Sequence, residues 1–284
     1  MKNIYFSTYG FYSKSLGEIL ETAQEFGINS LELGSGIAFE PEPLTILKEC
    51  HDFNFLIHHY FPTPQKEFVI NLASQNKRII EQSLTHCKNA IEFSKEVGSP
   101  LYSVHSGYLV DPSPSELGKP FRKEVDTDYQ KSHSIFIESI KELVCFGKEI
   151  GIKIAIENNV VAPFNVDENS QHPFLMVTSE EIIELKKEVN SDNLYYLIDL
   201  GHLKVSSSTL GFDRFEFIES LKDNIMIFHL SDNDGLSDTN KMFNAESWFM
   251  ECLREFPNTY FSIECKALTR QDMTKVKSLL EEIL

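Results

Sequence analysis

Hydrophobic and polar positions along this chain of 284 residues alternate between two patterns. Short apolar runs at 4–9, 28–33, 55–59, 101–105, 152–157, 194–199, 225–229 and 260–264 predict eight strands. The longer segments between them carry apolar residues at helical spacing, over residues 15–26, 41–51, 71–97 and 127–150 among others. Gly27, Gly98 and Gly151 stand where the first, third and fourth of these helices should end. The pattern therefore predicts eight strands, each followed by a helix.

Strict alternation of strands and helices indicates an α/β protein with a parallel sheet and right-handed crossovers. The strands are nearly continuously apolar, as expected for a sheet buried on both faces. Eight such units favour closure into a (β/α)8 TIM barrel, which typically needs about 250 residues. No linker or change of composition divides residues 1–284, so we expect one barrel domain. The alternative, an open doubly wound sheet, would want a glycine-rich phosphate turn after the first strand, and Tyr9-Gly-Phe-Tyr-Ser13 is not one.

Composition narrows the classes of function. The net charge is 26 − 43 = −17, which repels nucleic-acid phosphates and anionic membranes, so we expect neither as a partner. No run approaches the ~20 apolar residues of a membrane span. The five cysteines are scattered, without a C-x-x-C pair, which argues against a disulfide framework or a thiolate zinc site. With a strand-like run rather than a secretory segment at the N-terminus, the sequence predicts a cytoplasmic protein with reduced thiols.

Each of the last four strands ends in a residue that can bind a metal ion: Glu157, Asp199, His229 and Glu264, separated by 42, 30 and 35 residues. In a barrel these strand ends meet at the face where active sites form. Three carboxylates and one imidazole suit one divalent ion, Mn²⁺ first, with Mg²⁺, Co²⁺ and Zn²⁺ as alternatives. Each carboxylate alone could instead cap the next helix. Four together favour the metal, because buried unpaired carboxylates would cost several kcal/mol each.

Polar residues beside these four extend the candidate site. His202 follows Asp199 in an Asp-Leu-Gly-His sequence and could be a substrate contact or a second metal ligand. Asn158 and Asn159 could orient Glu157 or donate to a sugar hydroxyl, and Asn158 could equally cap a helix.

Further candidates lie at other strand ends. Lys266 follows Glu264 by two residues, so strand alternation predicts that both point the same way, and Lys266 could contact substrate or neutralise acid at the rim. The third strand ends in His58 and His59, and the fourth ends in His105.

These motifs resemble the xylose-isomerase-like TIM barrel superfamily, in its sugar phosphate isomerase/epimerase branch. That family carries a glutamate on strand five, Asp-x-x-His on strand six, a histidine on strand seven and a glutamate on strand eight. The third- and fourth-strand motifs, Ile57-His-His-Tyr60 and His105-Ser-Gly107, are similar to the family's histidine motifs, and the alignment favours His58 over His59. The resemblance covers nearly the whole chain, and it implies that His58 and His105 contact the substrate.

The resemblance implies a metal-bound keto sugar or polyol, phosphorylated or not, as the substrate. Glu157 and Glu264 would remove and return a carbon-bound proton while the cation stabilises an enediolate, and Asp199 and His229 would mainly hold the ion. Ketose 3-epimerases of the family carry an arginine six residues beyond the strand-seven histidine, where this chain has Gly235. This departure argues against a standard epimerase of free ketoses.

Other functions stay open at the level of sequence. Apurinic/apyrimidinic endonucleases of the superfamily bind three zinc ions and would recruit His58, His105 and Asp199 with His202, but their Asp-x-His pair after strand seven has no counterpart up to Asn244. A dehydratase of the inosose type or a hydroxypyruvate-type isomerase would look nearly identical. A binding protein without catalysis is a further alternative. We expect a small-molecule sugar or polyol as partner and leave open a homodimer or a homotetramer.

Two loops, residues 106–126 and 160–177, exceed the usual connection of roughly 2–6 residues. They contain Arg122, Phe164, His172 and Phe174. One hypothesis is a lid over the site, and the alternative is a surface insertion or a subunit contact.

Overall fold

The computed structural model describes residues 3–34, 36–120, 128–169 and 171–284. Eight parallel strands form a closed barrel in sequence order, and β8 pairs with β1. This confirms the predicted (β/α)8 architecture. The strands are β1 Ile4–Ser7, β2 Ser30–Leu33, β3 Asn54–His58, β4 Leu101–His105, β5 Lys153–Glu157, β6 Leu194–Asp199, β7 Ile225–Leu230 and β8 Tyr260–Ile263.

The α-helices depart from the predicted pattern near the end of the chain. Two helices follow β6, whereas residues 231–259 between β7 and β8, all of them described, contain no α-helix and only one 3₁₀ turn, at Cys252–Glu255. The expectation of a helix after every strand is therefore wrong at β7. The segment after β7 opens with Asp, Asn, Gly and Ser residues, whose side chains favour turns over helix. The helices are α1 Leu16–Glu25, α2 Pro43–Lys48, α3 Lys77–Glu96, α4 Tyr129–Ile150, α5 Ser179–Val189, α6 Leu200–Leu210, α7 Arg214–Leu221 and α8 Arg270–Ile283.

None of the helices in the described part of the chain combines the length and the apolar character that crossing a bilayer requires.

Alternation along the strands separates the outer core from the barrel interior. On β5, Ile154 and Ile156 join the large apolar core between sheet and helices, whereas Ala155 and Glu157 face inward. The lower part of the interior is filled by an apolar layer: Tyr5, Leu56, Leu101, Ala155, Leu197 and Ile227. The inward positions above it are polar. Apolar side chains thus fill the barrel toward the N-terminal ends of its strands, and polar side chains line it at their C-terminal ends.

The two long loops pack against each other at this mouth. Tyr108 and Phe174 form an antiparallel bridge, and Leu109 N–H donates to the carbonyl of Pro173 at 2.8 Å. Tyr108 and Phe174 also share a buried apolar cluster with Val161. Arg122 lies outside the described residues. The pairing positions both loops near the site, and their action as a lid stays a hypothesis.

Candidate metal centre

Of the four predicted strand-end ligands, the three carboxylates lie close to the fourth, the imidazole of His229. His229 Nδ1 lies 2.8 Å from Glu264 Oε2, 3.8 Å from Asp199 Oδ2 and 3.9 Å from Glu157 Oε1. Asp199 and His229 are register partners on neighbouring strands, which explains their proximity. Glu157 and Glu264 approach from β5 and from the residue after β8, because the barrel is closed. Residues spread over about a hundred positions of sequence thus share one small volume.

Several polar atoms of this cluster are buried without a hydrogen-bond partner among the described residues. They are both carboxylate oxygens of Glu157, Oδ2 of Asp199 and Nδ1 of His229. The short contact between His229 Nδ1 and Glu264 therefore lacks the alignment of a hydrogen bond. Orphaned buried acceptors are rare in folded proteins because each is costly.

A divalent cation would satisfy these atoms together, so the residues fit a metal ion. Ligand atoms lie within 4.8 Å of one another in three groups of the described residues that could hold one: Glu157/Asp199/His229, His58/His105/Glu157 and Glu32/His58/His229.

The shifted pKa values of the cluster also favour a bound cation. Burial raises the pKa of Glu157 well above its usual value, although His229 and His202 partly oppose this. Burial also raises the pKa of Asp199 to about 6. Burial alone would lower the pKa of His229, but the carboxylates of Glu32 and Glu264 more than offset it and raise that pKa well above its usual value. Without a cation, the carboxyl groups hold protons more tightly than they do in water, and a bound cation reverses this preference.

Glu32 is a site residue that sequence reasoning missed. It lies on β2 between Leu31 and Leu33, is fully buried, and contacts His229 Nε2 at 3.0 Å. Ser262 Oγ donates to its other oxygen at 2.5 Å. A carboxylate that accepts the Nε2 proton leaves the Nδ1 lone pair of His229 facing the cluster, as in carboxylate–histidine–metal arrangements. The sequence did contain a signal for Glu32, namely a single charged residue inside an apolar strand.

Asp199 is both a helix cap and a member of the cluster. Its Oδ1 accepts the backbone N–H of His202 at 2.7 Å and caps α6, while Oδ2 stays directed at the cluster. The side chain of Asn158 accepts the backbone N–H of Asp199 at 2.8 Å and donates to its carbonyl at 3.2 Å. Asn158 therefore fixes the backbone at Asp199. The structure confirms the helix cap on one oxygen of Asp199, and metal binding by the other oxygen stays a prediction.

His202 lies at the edge of the cluster. Its Nδ1 is 3.2 Å from Glu157 Oε1 and 3.0 Å from the backbone carbonyl oxygen of Asn158. Its Nε2 is 3.4 Å from Oδ2 of Asp238, a residue that sequence reasoning also missed. Its imidazole thus lies between the carboxylates of Glu157 and Asp238, and substrate contact by His202 stays a prediction.

His58 and His105 meet the opposite oxygen of the same glutamate. Their Nε2 atoms lie 3.5 and 3.4 Å from Glu157 Oε2, and His58 Nδ1 is held by Ser103 Oγ at 2.9 Å. His59 follows the end of β3 with a φ of +45° and packs its ring against that of His105 at 4.3 Å. The structure thus directs His58, rather than His59, at Glu157.

Two predicted substrate contacts are placed differently. Asn159 donates its amide hydrogens to the carbonyls of Gly107 at 3.2 Å and Leu175 at 2.9 Å, which ties the two long loops together. The side chain of Lys266 is exposed, and β8 already ends at Ile263, so the alternation argument does not extend to it. Substrate contact by either residue stays a prediction.

Comparisons with known proteins agree with this geometry. The profile of the xylose isomerase-like TIM barrel family matches residues 20–274. The chain belongs to this family. An uncharacterized protein of Methanocaldococcus jannaschii is 26% identical over 247 residues, which cover 84% of this chain and 72% of that protein.

Solved structures share the fold across the whole chain. A D-tagatose 3-epimerase-like protein superposes with a TM-score of 0.76 at 23% identity, covering 100% of this chain and 98% of the other. A D-psicose 3-epimerase from Clostridium cellulolyticum H10 superposes with a TM-score of 0.66 at 13% identity, covering 98% of this chain and 89% of the other.

Proposed function

We propose that this protein is a divalent-metal-dependent isomerase or epimerase of a sugar or sugar phosphate. The observation that carries the proposal is the pair of glutamates beside one nitrogen of His229, with Glu264 Oε2 at 2.8 Å and Glu157 Oε1 at 3.9 Å from its Nδ1. Two carboxylates on well-separated strands can act on one substrate carbon from different directions. The names of the structural neighbours, both of them 3-epimerases of ketoses or proteins like them, support the same chemistry.

Glu157, Asp199, His229 and Glu264 would hold the metal ion, with Mn²⁺ as the first choice and Mg²⁺, Co²⁺ or Zn²⁺ as alternatives. The ion would polarise a substrate carbonyl and offset the negative charge that develops when the neighbouring carbon loses its proton.

The protein's own groups would move the proton. Glu157 is completely buried and Glu264 keeps 14% of its side chain exposed, so the two carboxylates differ in their access to solvent. One removes a carbon-bound proton and the other returns one, on the opposite face for an epimerase or at the next carbon for an isomerase. His58, His105 and His202 surround Glu157 and would bind substrate hydroxyls. Loss of a β-hydroxyl after the same proton abstraction would make the enzyme a dehydratase of the inosose type.

Proton exchange with solvent tests the proposal directly. The Mn²⁺-loaded protein is incubated in D₂O with ketoses, polyols, keto-inositols and their phosphates, and deuterium in the recovered compounds is measured. We expect exchange by the wild type and a loss of at least about a hundredfold in Glu264→Gln, since general acid–base groups contribute about 10²–10⁴-fold. Glu96→Gln, on the surface beside Lys48, is the matched control and should exchange like the wild type. Exchange at an equal rate in Glu264→Gln would exclude this glutamate as the base.

A zinc phosphodiesterase is a second candidate, favoured by the group His58/His105/Glu157, whose ligand atoms lie within 4.8 Å of one another. The net charge of −17 opposes it, because DNA phosphates would be repelled. Elemental analysis of purified protein separates the two: three zinc ions per chain together with incision of abasic DNA would favour the nuclease. One divalent ion and no incision would favour the sugar enzyme.

A further inference from the structure

Asp238 stands at the solvent-accessible side of the metal centre, in the segment that follows β7. Its Oδ2 lies 3.4 Å from His202 Nε2, and 21% of its side chain is exposed. Two other side chains around the centre are also partly exposed, Glu264 at 14% and His105 at 23%, whereas the remaining members are at most 7% exposed. A molecule that enters the centre from solvent therefore meets Asp238, Glu264 and His105 first.

One oxygen of the Asp238 carboxylate has no partner. Its Oδ1 is buried and accepts no hydrogen bond from the described residues. The loop does not need this side chain for its own fold, because the side chains of Asn233 and Asp234 accept three backbone N–H groups and an antiparallel bridge between Asp232 and Lys241 closes the loop. Buried acceptors without a partner are costly and rare, so Oδ1 can accept a hydrogen bond from a bound molecule.

The centre also lacks cations that would bind a phosphate. Its carboxylates, over the described chain, have only histidines as ion-pair partners within 4.0 Å; they belong to Glu32, Glu157, Asp199, Asp238 and Glu264. Lys204 follows His202 by two residues, but its Nζ is bound to Asp232 Oδ1 and to the carbonyl oxygen of Asn233, each at 2.6 Å. Five carboxylates outnumber the two charges of a divalent ion, and a phosphate needs several donors or cations. The centre therefore repels an anionic group.

Building on the proposed function, we infer that Asp238 is a specificity residue whose carboxylate accepts a hydrogen bond from a substrate hydroxyl group and repels a phosphate ester. The substrate is then an unphosphorylated sugar or keto-polyol, which narrows the proposed class. Asp238 takes no part in moving the proton, which stays with Glu157 and Glu264.

Equilibrium binding tests the inference without requiring turnover. The Mn²⁺-loaded protein is titrated calorimetrically with D-fructose, D-tagatose, D-psicose, L-ribulose and 2-keto-myo-inositol, each beside its monophosphates. We expect at least one free compound to bind about tenfold or more tightly than each of its phosphates, since a hydrogen bond to a charged acceptor is gained and like-charge repulsion is avoided.

Two asparagine variants locate the effect. Asp238→Asn keeps the shape of the side chain and removes its charge, so the preference for the free compound should narrow by about tenfold or more while the affinity for Mn²⁺ stays unchanged. Asp234→Asn is the matched control, because Asp234 is exposed on the same loop and asparagine can still accept the N–H groups of Leu236 and Ser237. It should keep the preference of the wild type. Thermal unfolding verifies that both variants are folded, and the preference of the wild type is measured independently of either.

Several outcomes would overturn the inference. Equal or tighter binding of the phosphates by the wild type, or no binding of any free compound, would do so. A preference that Asp238→Asn leaves intact would exclude Asp238 as its source. An equal loss of affinity for free and phosphorylated compounds in this variant would assign Asp238 to holding His202 alone, and would also overturn the inference.

The proposed function fails or stands separately, through proton exchange. A preference for a free compound that Asp238→Asn abolishes, with no deuterium exchange on any compound, would support the role of Asp238 in binding and contradict the isomerase. Exchange on a sugar phosphate that binds more tightly than its free sugar would support the isomerase and contradict the role of Asp238.

Discussion

Replacing Glu32 with glutamine removes one negative charge from the buried contact with His229 and keeps the size of the side chain. Glu32 and His229 are both completely buried, and the carboxylate contacts His229 Nε2 at 3.0 Å and Ser262 Oγ at 2.5 Å. Glutamine can still accept the Nε2 proton with its one carbonyl oxygen. Glutamine is neutral and has only one accepting oxygen. The hydrogen bonds from the imidazole and from Ser262 therefore lose their charged acceptor, and one of them must rearrange.

The magnitude follows from these two contacts. Hydrogen bonds to charged groups contribute about 1.5–3 kcal/mol and neutral ones about 0.5–1.5 kcal/mol, so each contact should lose about 1 kcal/mol. Together the two losses lower the free energy that holds His229 in its metal-binding orientation by about 2 kcal/mol. This corresponds to a roughly thirtyfold change in an equilibrium constant. This lies within the 10–100-fold range found for residues that support metal-binding histidines. We therefore expect Glu32→Gln to bind Mn²⁺ roughly thirtyfold more weakly.

Competition with a fluorescent chelator measures this affinity, and thermal unfolding of the metal-free protein verifies that the variant is folded. Ser262→Ala removes one contact and leaves the charge, so its affinity should fall only about fivefold. Glu96→Gln makes the same chemical change on the surface and should leave the affinity unaltered. A folded Glu32→Gln variant with the affinity of the wild type would refute the proposed role of Glu32.

Two further predictions concern Asp199 and its neighbourhood. Burial raises the pKa of Asp199 to about 6, and a carboxyl with a raised folded pKa gives stability that is present below its unfolded pKa and is lost as pH rises through 6. Without metal, the wild type should therefore lose stability relative to Asp199→Asn between about pH 4 and 7, by up to about 3 kcal/mol, and Mn²⁺ should restore it. Urea denaturation at each pH checks this, and parallel pH profiles would contradict it. Separately, a Cβ at Gly201 would meet Ser231 Oγ at 2.6 Å and Asp199 Oδ1 at 3.2 Å, so Gly201→Ala should lower the free energy of unfolding by about 1–3 kcal/mol and weaken metal binding. Gly17→Ala on α1, where the added Cβ would meet Ser15 Oγ only at 4.0 Å, should instead stabilise the protein by up to about 1 kcal/mol, and equal effects of the two substitutions would argue against the steric account.

The sequence alone was enough to predict the barrel and the four strand ends whose polar side chains lie close together at its mouth. Buried parallel strands must be apolar, so a polar residue at the end of such a strand is conspicuous, and Asp199 and His229 could be recognised in this way. The prediction of a helix after β7 was wrong. Turn-forming side chains dominate the start of that segment, and its one helical element is a 3₁₀ turn.

Only the tertiary structure decided which side chains share the cavity at the mouth. Glu32 lies 197 positions from His229 in sequence, and only closure of the barrel brings β2 opposite β7. Lys266 was predicted from an alternation that holds only inside a strand, and β8 ends before it. Alternation is a property of local backbone geometry and can be read from a sequence. Contacts across a closed barrel depend on the register and curvature of all eight strands together, and no local pattern encodes them.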